Sequence, residues 1–211
     1  MTDSPTARSW RYGEVGRLVD NRVNFLQESR QSSATVAQLA YLRANVGRPP
    51  GADPAIWSLT VEGVPGNPHN DEPTAEEWAV HQALTLFASH QQSRDKNMHE
   101  KKTGLGQAVA RLDRRRGRSD DNQVSPVRRR FDAAVTSATP DELSYHLRGL
   151  VALLRGEEIG LDYGLLADDL VQFQRIGGAS TVRRRWARQY YFPEPKSSEN
   201  DTAETTAEES S

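Results

Sequence analysis

Apolar residues recur three and four positions apart in segment after segment of this chain, and this spacing restricts the fold to helices. With about 100° per residue, one face of the segment from Thr74 to Gln92 collects Ala79, Ala83, Leu86, Phe87 and His90. A second apolar stripe consists of Leu143, Leu147, Leu150, Val151 and Leu154. No segment shows the sustained apolar–polar alternation of a half-buried strand. We therefore predict an all-α fold.

Helix start signals support this prediction. Thr74 with Glu77, and Thr139 with Glu142, have the spacing of a capping box, in which each side chain bonds the backbone of the other residue. Ser125 followed by a proline is typical of an N-cap and first helical residue. The pattern predicts a compact bundle of roughly eight or nine helices over residues 9–193. Residues 9–95 and 96–193 are candidate helical subdomains of it.

The charge of the chain is divided unevenly. The net charge is −2, but residues 194–211 hold six acidic residues and one lysine, so residues 1–193 carry +3. The segment from Arg94 to Arg130 has twelve basic and five acidic residues, a local excess of +7, which favours a polyanionic partner. The acidic tail has too few apolar residues to fold, so we expect it to be disordered, and we expect residues 1–8 to be flexible.

The composition excludes several classes of protein. The 211 residues include no cysteine, which excludes disulfides and thiolate metal sites and suits a reducing cytoplasm. We find neither a membrane-length apolar run nor a signal-peptide core, so we expect a cytoplasmic protein that does not contact a membrane.

The sequence contains no pattern that specifies catalysis, a metal or a cofactor. The five histidines are not paired three or four residues apart, and His99 begins an HExxH-like segment that lacks the second histidine. Adjacent carboxylates at 157–158 and 168–169 diverge by about 100° on a helix, so we interpret them as solvated charges. His90 is interpreted as a core histidine. We predict no catalytic residue, no metal site and no cofactor.

Two similar runs, VRRRF from Val127 and VRRRW from Val182, conflict with a local rule of helix stability. Counted from N-caps at Ser125 and Ser180, both arginine triplets occupy the third to fifth helical positions, N3 to N5. A cation near a helix N-terminus opposes the helix dipole at a cost of about 0.3–1 kcal/mol in the first turn, and neighbouring cations repel one another. A bound polyanion would relieve this repulsion, and free backbone N–H groups there also attract phosphate. We therefore predict nucleic-acid contact, with Phe131 and Trp186 in the core.

Other basic residues are weaker candidates. Arg148 and Arg155 are seven residues apart, nearly in register after two helical turns, and predict a basic ridge beside the apolar stripe. Lys101 and Lys102 lie in a basic stretch that we expect to be flexible enough to reach a nucleic-acid backbone. The run 114–116 is near a helix C-terminus, where positive charge is favourable, so we interpret it as a solvated face.

The order of these segments resembles one known family. AQLAYLRANVGRPPGADPAIWSL, WAVHQALTLFASHQQS, TGLGQAVARL, VRRRFDAAVTSATPDELSYHLRGLVALLR, LDYGLLADDL and VRRRWARQYY follow one another as in the CasB small subunits of the type I-E CRISPR effector complex, Cascade. The resemblance extends from about Val15 to Phe192. Because each motif alone is a helix with arginines, their order and spacing carry the specificity.

The resemblance implies a non-enzymatic, all-helical subunit present in two copies. The implied partners are guide RNA, both strands of target DNA, a second copy of itself, the backbone subunits and the large PAM-recognising subunit. In that family the small subunits help hold the RNA–DNA heteroduplex and the displaced strand, which stabilises the R-loop, while base pairing reads the sequence.

By position, the resemblance implies that a set of basic residues faces nucleic acid: Arg43, Arg48, Arg128, Arg129, Arg130 and Arg148. For Arg183, Arg184 and Arg185, contact with nucleic acid and contact with a neighbouring subunit both remain open. The family position of Gln107 is often basic, so this chain departs from the pattern there.

Two further hypotheses from other classes remain. A helical protein–protein adaptor would use the arginines against acidic partner surfaces, and it would not bind single-stranded DNA at low salt. An enzyme would need a concave cluster of carboxylates or histidines with perturbed pKa values, which residue spacing alone does not reveal.

Overall fold

Helices account for the regular structure of residues 11–66, 71–117 and 124–192, which the computed structural model describes. In chain order they are α1 (Glu14–Glu28), α2 (Ser33–Ala44), the 3-10 helix η1 (Pro54–Ile56), α3 (Trp57–Thr60), α4 (Ala75–Gln91), α5 (Leu105–Arg116), α6 (Pro126–Thr136), α7 (Pro140–Gly156), α8 (Tyr163–Gln174) and α9 (Gly178–Tyr191). Within these ranges the extended pairing is a single isolated bridge between His99 and Leu161. The all-α prediction is confirmed, whereas the predicted flexible N-terminus (1–8) and acidic tail (194–211) lie outside the described residues.

Side-chain caps set the start of several helices. At the start of α4 the hydroxyl of Thr74 accepts from the backbone N–H of Glu77 at 3.1 Å, and the Glu77 carboxylate accepts from the N–H of Thr74 at 2.9 Å. This is the predicted capping box. At the start of α7 the hydroxyl of Thr139 accepts from the N–H of Glu142, but the Glu142 carboxylate accepts from the N–H of Ala138. The second predicted box is therefore only half formed.

The helices α1 and α9 begin at residues that local signals do not predict. The first helix begins at Glu14, where the Asp168 carboxylate accepts from the N–H groups of Gly13 at 2.7 Å and Gly16 at 2.8 Å. A cap supplied from α8 has no local signature. The last helix begins at Gly178, after Gly177 in a left-handed conformation with φ 70°, and not at the position predicted by Ser180.

The helix α4 is at the centre of the core. The apolar face predicted for it is buried as expected, and α4 is buried on nearly all other sides because α1, α2, α7 and α8 pack around it. His90 lies inside this core with its Nδ1 atom 2.8 Å from the hydroxyl of Tyr163. Burial lowers the pKa of His90 to about 3, so the ring is neutral. The interpretation as a core histidine is confirmed.

Packing of α5, α6, α7 and α9 positions the basic surface. The helix α5 packs against α9, α6 and α7, and α6 packs against α7. Phe131 of α6 and Trp186 of α9 are buried, as predicted, so the arginines beside them are held on a fixed scaffold. Apolar residues from both sides of residue 95 belong to one buried cluster, and the division into two subdomains stays a prediction. Among the described helices, none is long and apolar enough to cross a membrane.

Candidate nucleic-acid interface

The first arginine run lies at the start of α6, where it was predicted. Ser125 is the N-cap, and its Oγ accepts from the N–H of Arg128 at 2.9 Å, which places the three arginines at N3 to N5. Arg129 and Arg130 are exposed, and their guanidinium groups form no hydrogen bond or ion pair with another described residue. Two guanidinium groups therefore face solvent at the positive end of the helix.

The backbone contributes less to anion binding at this position than we expected. Pro126 at N1 has no N–H group, and the N–H of Arg128 is already bound to Ser125. The capacity of this helix start to bind a phosphate therefore depends mainly on the side chains of Arg129 and Arg130.

Arg128 is engaged within the protein. Its Nε donates to Asp132 at 2.7 Å, its Nη1 donates to the hydroxyl of Tyr191, and its guanidinium carbon lies 4.9 Å from the ring centroid of Tyr190 and 5.0 Å from that of Tyr191. Burial alone would lower the pKa of Arg128, but the contacts with Asp132 and Tyr191 outweigh burial and raise it. Arg128 is therefore a fixed cation beside two rings. The sequence contains Tyr190 and Tyr191 as an aromatic pair next to basic residues, a signal that our sequence analysis missed.

The end of α5 adjoins this helix start. Ser125 donates to Asp113, Arg115 donates to the backbone oxygen of Glu157, and the Nε of Arg116 lies 3.1 Å from the Glu157 carboxylate. Arg115 and Arg116 thus bind the C-terminal end of α7. The run 114–116 was interpreted as a solvated face, and its residues are exposed, but two of its three side chains also bind the end of a neighbouring helix.

The second arginine run does not lie at a helix N-terminus. Because α9 begins at Gly178, Arg183, Arg184 and Arg185 occupy the sixth to eighth helical positions, and the predicted conflict with the helix dipole is wrong for this run. The physical reason is close packing: a Cβ atom on Gly178 would lie 1.7 Å from the backbone oxygen of Gln172, so only glycine lets α9 start this close to α8.

Two of these three arginines bind the protein itself. The Nη2 of Arg183 donates to the backbone oxygen of Ser137 at 2.7 Å, beside the C-terminal end of α6. Arg185 forms an ion pair with Asp169, whose side chain is 3% exposed. Arg184 is exposed, and its side chain donates to the hydroxyl of Thr181 at 3.3 Å as its single hydrogen bond within the described ranges.

The interpretation of residues 168–169 as solvated charges is wrong. Asp168 caps α1, and Asp169 is buried, where it accepts from the indole N–H of Trp186 at 2.6 Å and binds Arg185. Burial raises the pKa of Asp169 to about 6, although Arg185 and Trp186 act in the opposite direction. Both carboxylates hold helices together.

A second basic surface joins the end of α2 to α7. The guanidinium of Arg148 packs on Gly47, where a Cβ atom would come within 1.9 Å of Nη1, and it lies 5.7 Å from the ring centroid of Tyr145. Arg48 follows Gly47 and is exposed, and Arg43 lies half-buried in the last turn of α2. Arg148 thus contacts the residue that precedes Arg48, and it lies beside the exposed Tyr145, which the sequence analysis did not single out.

The remaining candidates are more restrained than predicted. Arg155 donates to the side chain of Gln92 at 3.0 Å and to the backbone oxygen of Ser89 at 3.4 Å. Lys101 lies 3.1 Å from Asp20, which also binds His99 at 2.8 Å. Lys102 is exposed, but its backbone N–H donates to the Asp162 carboxylate at 2.7 Å.

The basic stretch predicted to be flexible is therefore anchored. Met98 and His99 within it are buried, and they connect to α1 through Gln27 and to the segment before α8 through Leu161. In the part of the chain that the structure describes, no group of three His, Asp or Glu side chains could hold a metal ion.

Comparisons with known proteins identify relatives of this fold. The family model described as CRISPR-associated protein Cse2 matches residues 38–191. The CasB crystal structure from Thermobifida fusca is similar with 37% sequence identity and a TM-score of 0.69, over 86% of this chain and 99% of the other. A search of curated protein sequences found no match.

More distant solved structures share the fold. A Cse2-family protein from Thermus thermophilus has 23% identity and a TM-score of 0.61, over 82% of this chain and 97% of the other. A chain of a CRISPR RNA-guided surveillance complex has 23% identity and a TM-score of 0.66, over 84% and 93%. Because the family model covers most of the chain and the Thermobifida fusca relative shares more than a third of its residues, the protein belongs to the CRISPR-associated Cse2 (CasB) family.

Proposed function

We propose that this protein is a non-catalytic subunit of a CRISPR surveillance complex that binds nucleic-acid backbones and stabilises the opened target. The observation that carries this proposal is the pair Arg129 and Arg130, exposed and without an ionic partner among the described residues at the positive end of α6. Membership of the Cse2 family and the shared fold with a chain of an RNA-guided surveillance complex support it.

Physical chemistry favours a phosphate backbone at this position. Two neighbouring cations at a helix N-terminus repel each other and oppose the dipole, and a phosphate group relieves both effects. Neutralising phosphates releases counterions, so binding is independent of sequence and weakens with salt. The implied ligands are guide RNA and both strands of target DNA, with base pairing between the RNA and DNA reading the sequence.

The second basic surface extends the proposed contact. Arg148 packs on Gly47 and Tyr145, and the exposed Arg48 follows Gly47 in the chain, so a backbone phosphate there would meet one positioned cation with a second close by in sequence. The other proposed partners are a second copy of the protein, the backbone subunits and the large PAM-recognising subunit. Arg183 and Arg185, which bind the protein itself, are left out of this nucleic-acid surface.

The test replaces Arg129 and Arg130 together with alanine in the assembled complex. We expect a shorter lifetime of the opened target DNA than in the wild-type complex. For the isolated protein on single-stranded DNA, the slope of log affinity against log salt should fall by roughly 0.7 for each phosphate that is no longer neutralised, or about 1.4 in total. The control is Arg17→Ala with Arg175→Ala, which removes the same charge from exposed positions in α1 and after α8.

Two results would contradict the proposal. An unchanged R-loop lifetime in the Arg129→Ala, Arg130→Ala complex would remove the proposed role of α6. No binding of single-stranded DNA at low salt, together with loss of complex assembly in the same variant, would favour the protein–protein adaptor, because the arginines would then meet acidic surfaces of other subunits.

A further inference from the structure

Aromatic side chains gather where the end of α9 meets the start of α6. The ring of Tyr190 is stacked on Phe131, with centroids 5.2 Å apart and an interplanar angle of 18°. Its hydroxyl donates to Asp113 at 2.6 Å. Tyr190 is thus fixed to α6 by its ring and to α5 by its hydroxyl.

The next residue, Tyr191, is held in place but remains largely open to solvent. Its ring is edge-on to Tyr190 at 5.2 Å and 84°, the guanidinium carbon of Arg128 lies 5.0 Å from its centroid, and its hydroxyl accepts from Arg128. Asp132 in turn fixes Arg128. Despite these contacts, 58% of Tyr191 is exposed.

An oriented, exposed ring beside cations has the chemistry of a base-stacking site. Proteins that bind single strands combine a positively charged surface along the backbone with aromatic rings on which bases stack. Arg129 directly follows Arg128 in α6, and its exposed guanidinium has no partner among the described residues. A cation that can bind a phosphate therefore adjoins the residue that holds Tyr191. The charge of this region is complementary to a nucleic acid.

We propose that Tyr191 stacks with an unpaired base of a single-stranded nucleic acid while Arg129 binds an adjacent phosphate. Arg128 acts as a positioning residue, because its contacts with Asp132 and the Tyr191 hydroxyl orient the ring. The inference rests on the proposed function and deepens it: the ligand at this end of the molecule is an unpaired strand, since the bases of a duplex are already stacked on one another.

The experiment compares two labelled DNA strands of equal length, oligo(dT) and a strand of abasic sites, by fluorescence anisotropy on the full chain. We expect wild-type protein to bind oligo(dT) about tenfold more tightly than the abasic strand, given the usual size of base–aromatic stacking. Tyr191→Leu should abolish that difference and leave abasic binding unchanged. Tyr191→Phe, which keeps the ring, should retain most of it.

A matched control and a second readout separate stacking from general loss of apolar surface. Phe25 on α1 is 56% exposed, so Phe25→Leu removes an equally exposed ring and should leave both affinities unchanged. A 2-aminopurine base in the strand should be quenched on binding the wild type but not Tyr191→Leu. Repeating the comparison with oligo(rU) identifies which nucleic acid the site prefers. A melting curve verifies that each variant is folded.

The outcomes separate this inference from the proposed function. If wild-type protein binds oligo(dT) and the abasic strand equally, or if Tyr191→Leu keeps the difference, stacking is overturned while backbone binding stands. If Arg129→Ala with Arg130→Ala leaves both affinities unchanged but Tyr191→Leu removes the difference, backbone binding fails and stacking stands. Binding of neither strand at low salt overturns both.

Discussion

The two VRRR runs have nearly the same sequence but opposite surroundings. On α6, Arg129 and Arg130 project into solvent at the positive end of a helix, and only Arg128 is engaged within the described structure. On α9, Arg183 binds Ser137 and Arg185 binds Asp169. The side chain of Arg184 contacts only Thr181 of its own helix among the described residues. The contacts around each run therefore indicate a binding surface on α6 and an anchor between helices on α9, although the two sequences are nearly the same.

The difference between the runs shows that the group contacted by each guanidinium determines whether the arginine stabilises the fold or is available to bind an anion. A guanidinium paired with a buried carboxylate stabilises the fold, because removing it leaves an uncompensated buried charge. An exposed guanidinium at a helix N-terminus destabilises the fold slightly and becomes favourable when an anion binds. Substitutions in the two runs should therefore change different properties.

Arg185→Ala should have the largest effect on stability. It leaves Asp169, with a side chain 3% exposed, without its cation, while Arg185 itself is 43% exposed and partly hydrated. Because of that exposure we expect a loss of about 2 kcal/mol near pH 8, below the usual range for fully buried pairs. Denaturant unfolding measures this loss, and binding of single-stranded DNA by the folded variant should be unchanged.

The destabilisation caused by Arg185→Ala should depend on pH. The pKa of Asp169, raised to about 6 by burial, lies above its value of about 3.9 in an unfolded chain. The folded state favours the protonated form of Asp169. The contribution of this group to the free energy of unfolding is therefore fully present below about pH 4 and is lost as the pH rises through 6. Removing Arg185 raises this pKa further, and the destabilisation should be larger at pH 8 than at pH 5. Equal losses at both pH values would contradict the ion pair.

Arg183→Ala should destabilise the protein by about 1.5 kcal/mol, the usual scale for a hydrogen bond from a charged group. Its Nη2 donates to the backbone oxygen of Ser137, the residue that follows α6, so the variant leaves a buried acceptor without that donor. Thermal unfolding measures the loss. If Arg183→Ala instead weakened DNA binding with unchanged stability, the second run would function like the first.

Local signals in the sequence predicted the parts of the structure that depend on neighbouring residues. The caps at Thr74 and Ser125, and hence the placement of Arg129 and Arg130, require only residues three positions apart. The start of α1 depends on Asp168, 155 residues from Gly13, and no local pattern reports such a contact.

The same limit applies to the candidate site. Arg128, predicted to bind nucleic acid, donates within the protein to Tyr191, which lies 63 residues further along the chain. Arg185 is paired with Asp169, 16 residues earlier on a different helix. Residue spacing gave the charge of both runs and the helix position of the first run, but it placed the second run too close to its helix start. Only tertiary packing distinguishes a free arginine from one that is paired.

Replacing Arg129 and Arg130 with glutamate should stabilise the protein, whereas Arg185→Ala and Arg183→Ala should destabilise it. Two acidic residues at N4 and N5 complement the helix dipole and remove cation repulsion, so we expect a gain of roughly 0.3–1 kcal/mol in total. Binding of single-stranded DNA should be lost in the same protein. Loss of stability in this variant would mean that these arginines hold the fold, as those of α9 do, and the contrast between the runs would disappear.

Arg184→Ala should have the smallest effect on stability. It tests whether the second arginine run also contacts nucleic acid. Arg184 is exposed and its described contact is a 3.3 Å bond to Thr181 one turn earlier, so stability should change by less than about 0.5 kcal/mol. The informative measurement is the salt dependence of single-stranded DNA binding. An unchanged slope would confine nucleic-acid contact to the first run, because Arg183 and Arg185 are already paired. A slope reduced by roughly 0.7 would mean that the second run also contributes one phosphate contact through its single free arginine.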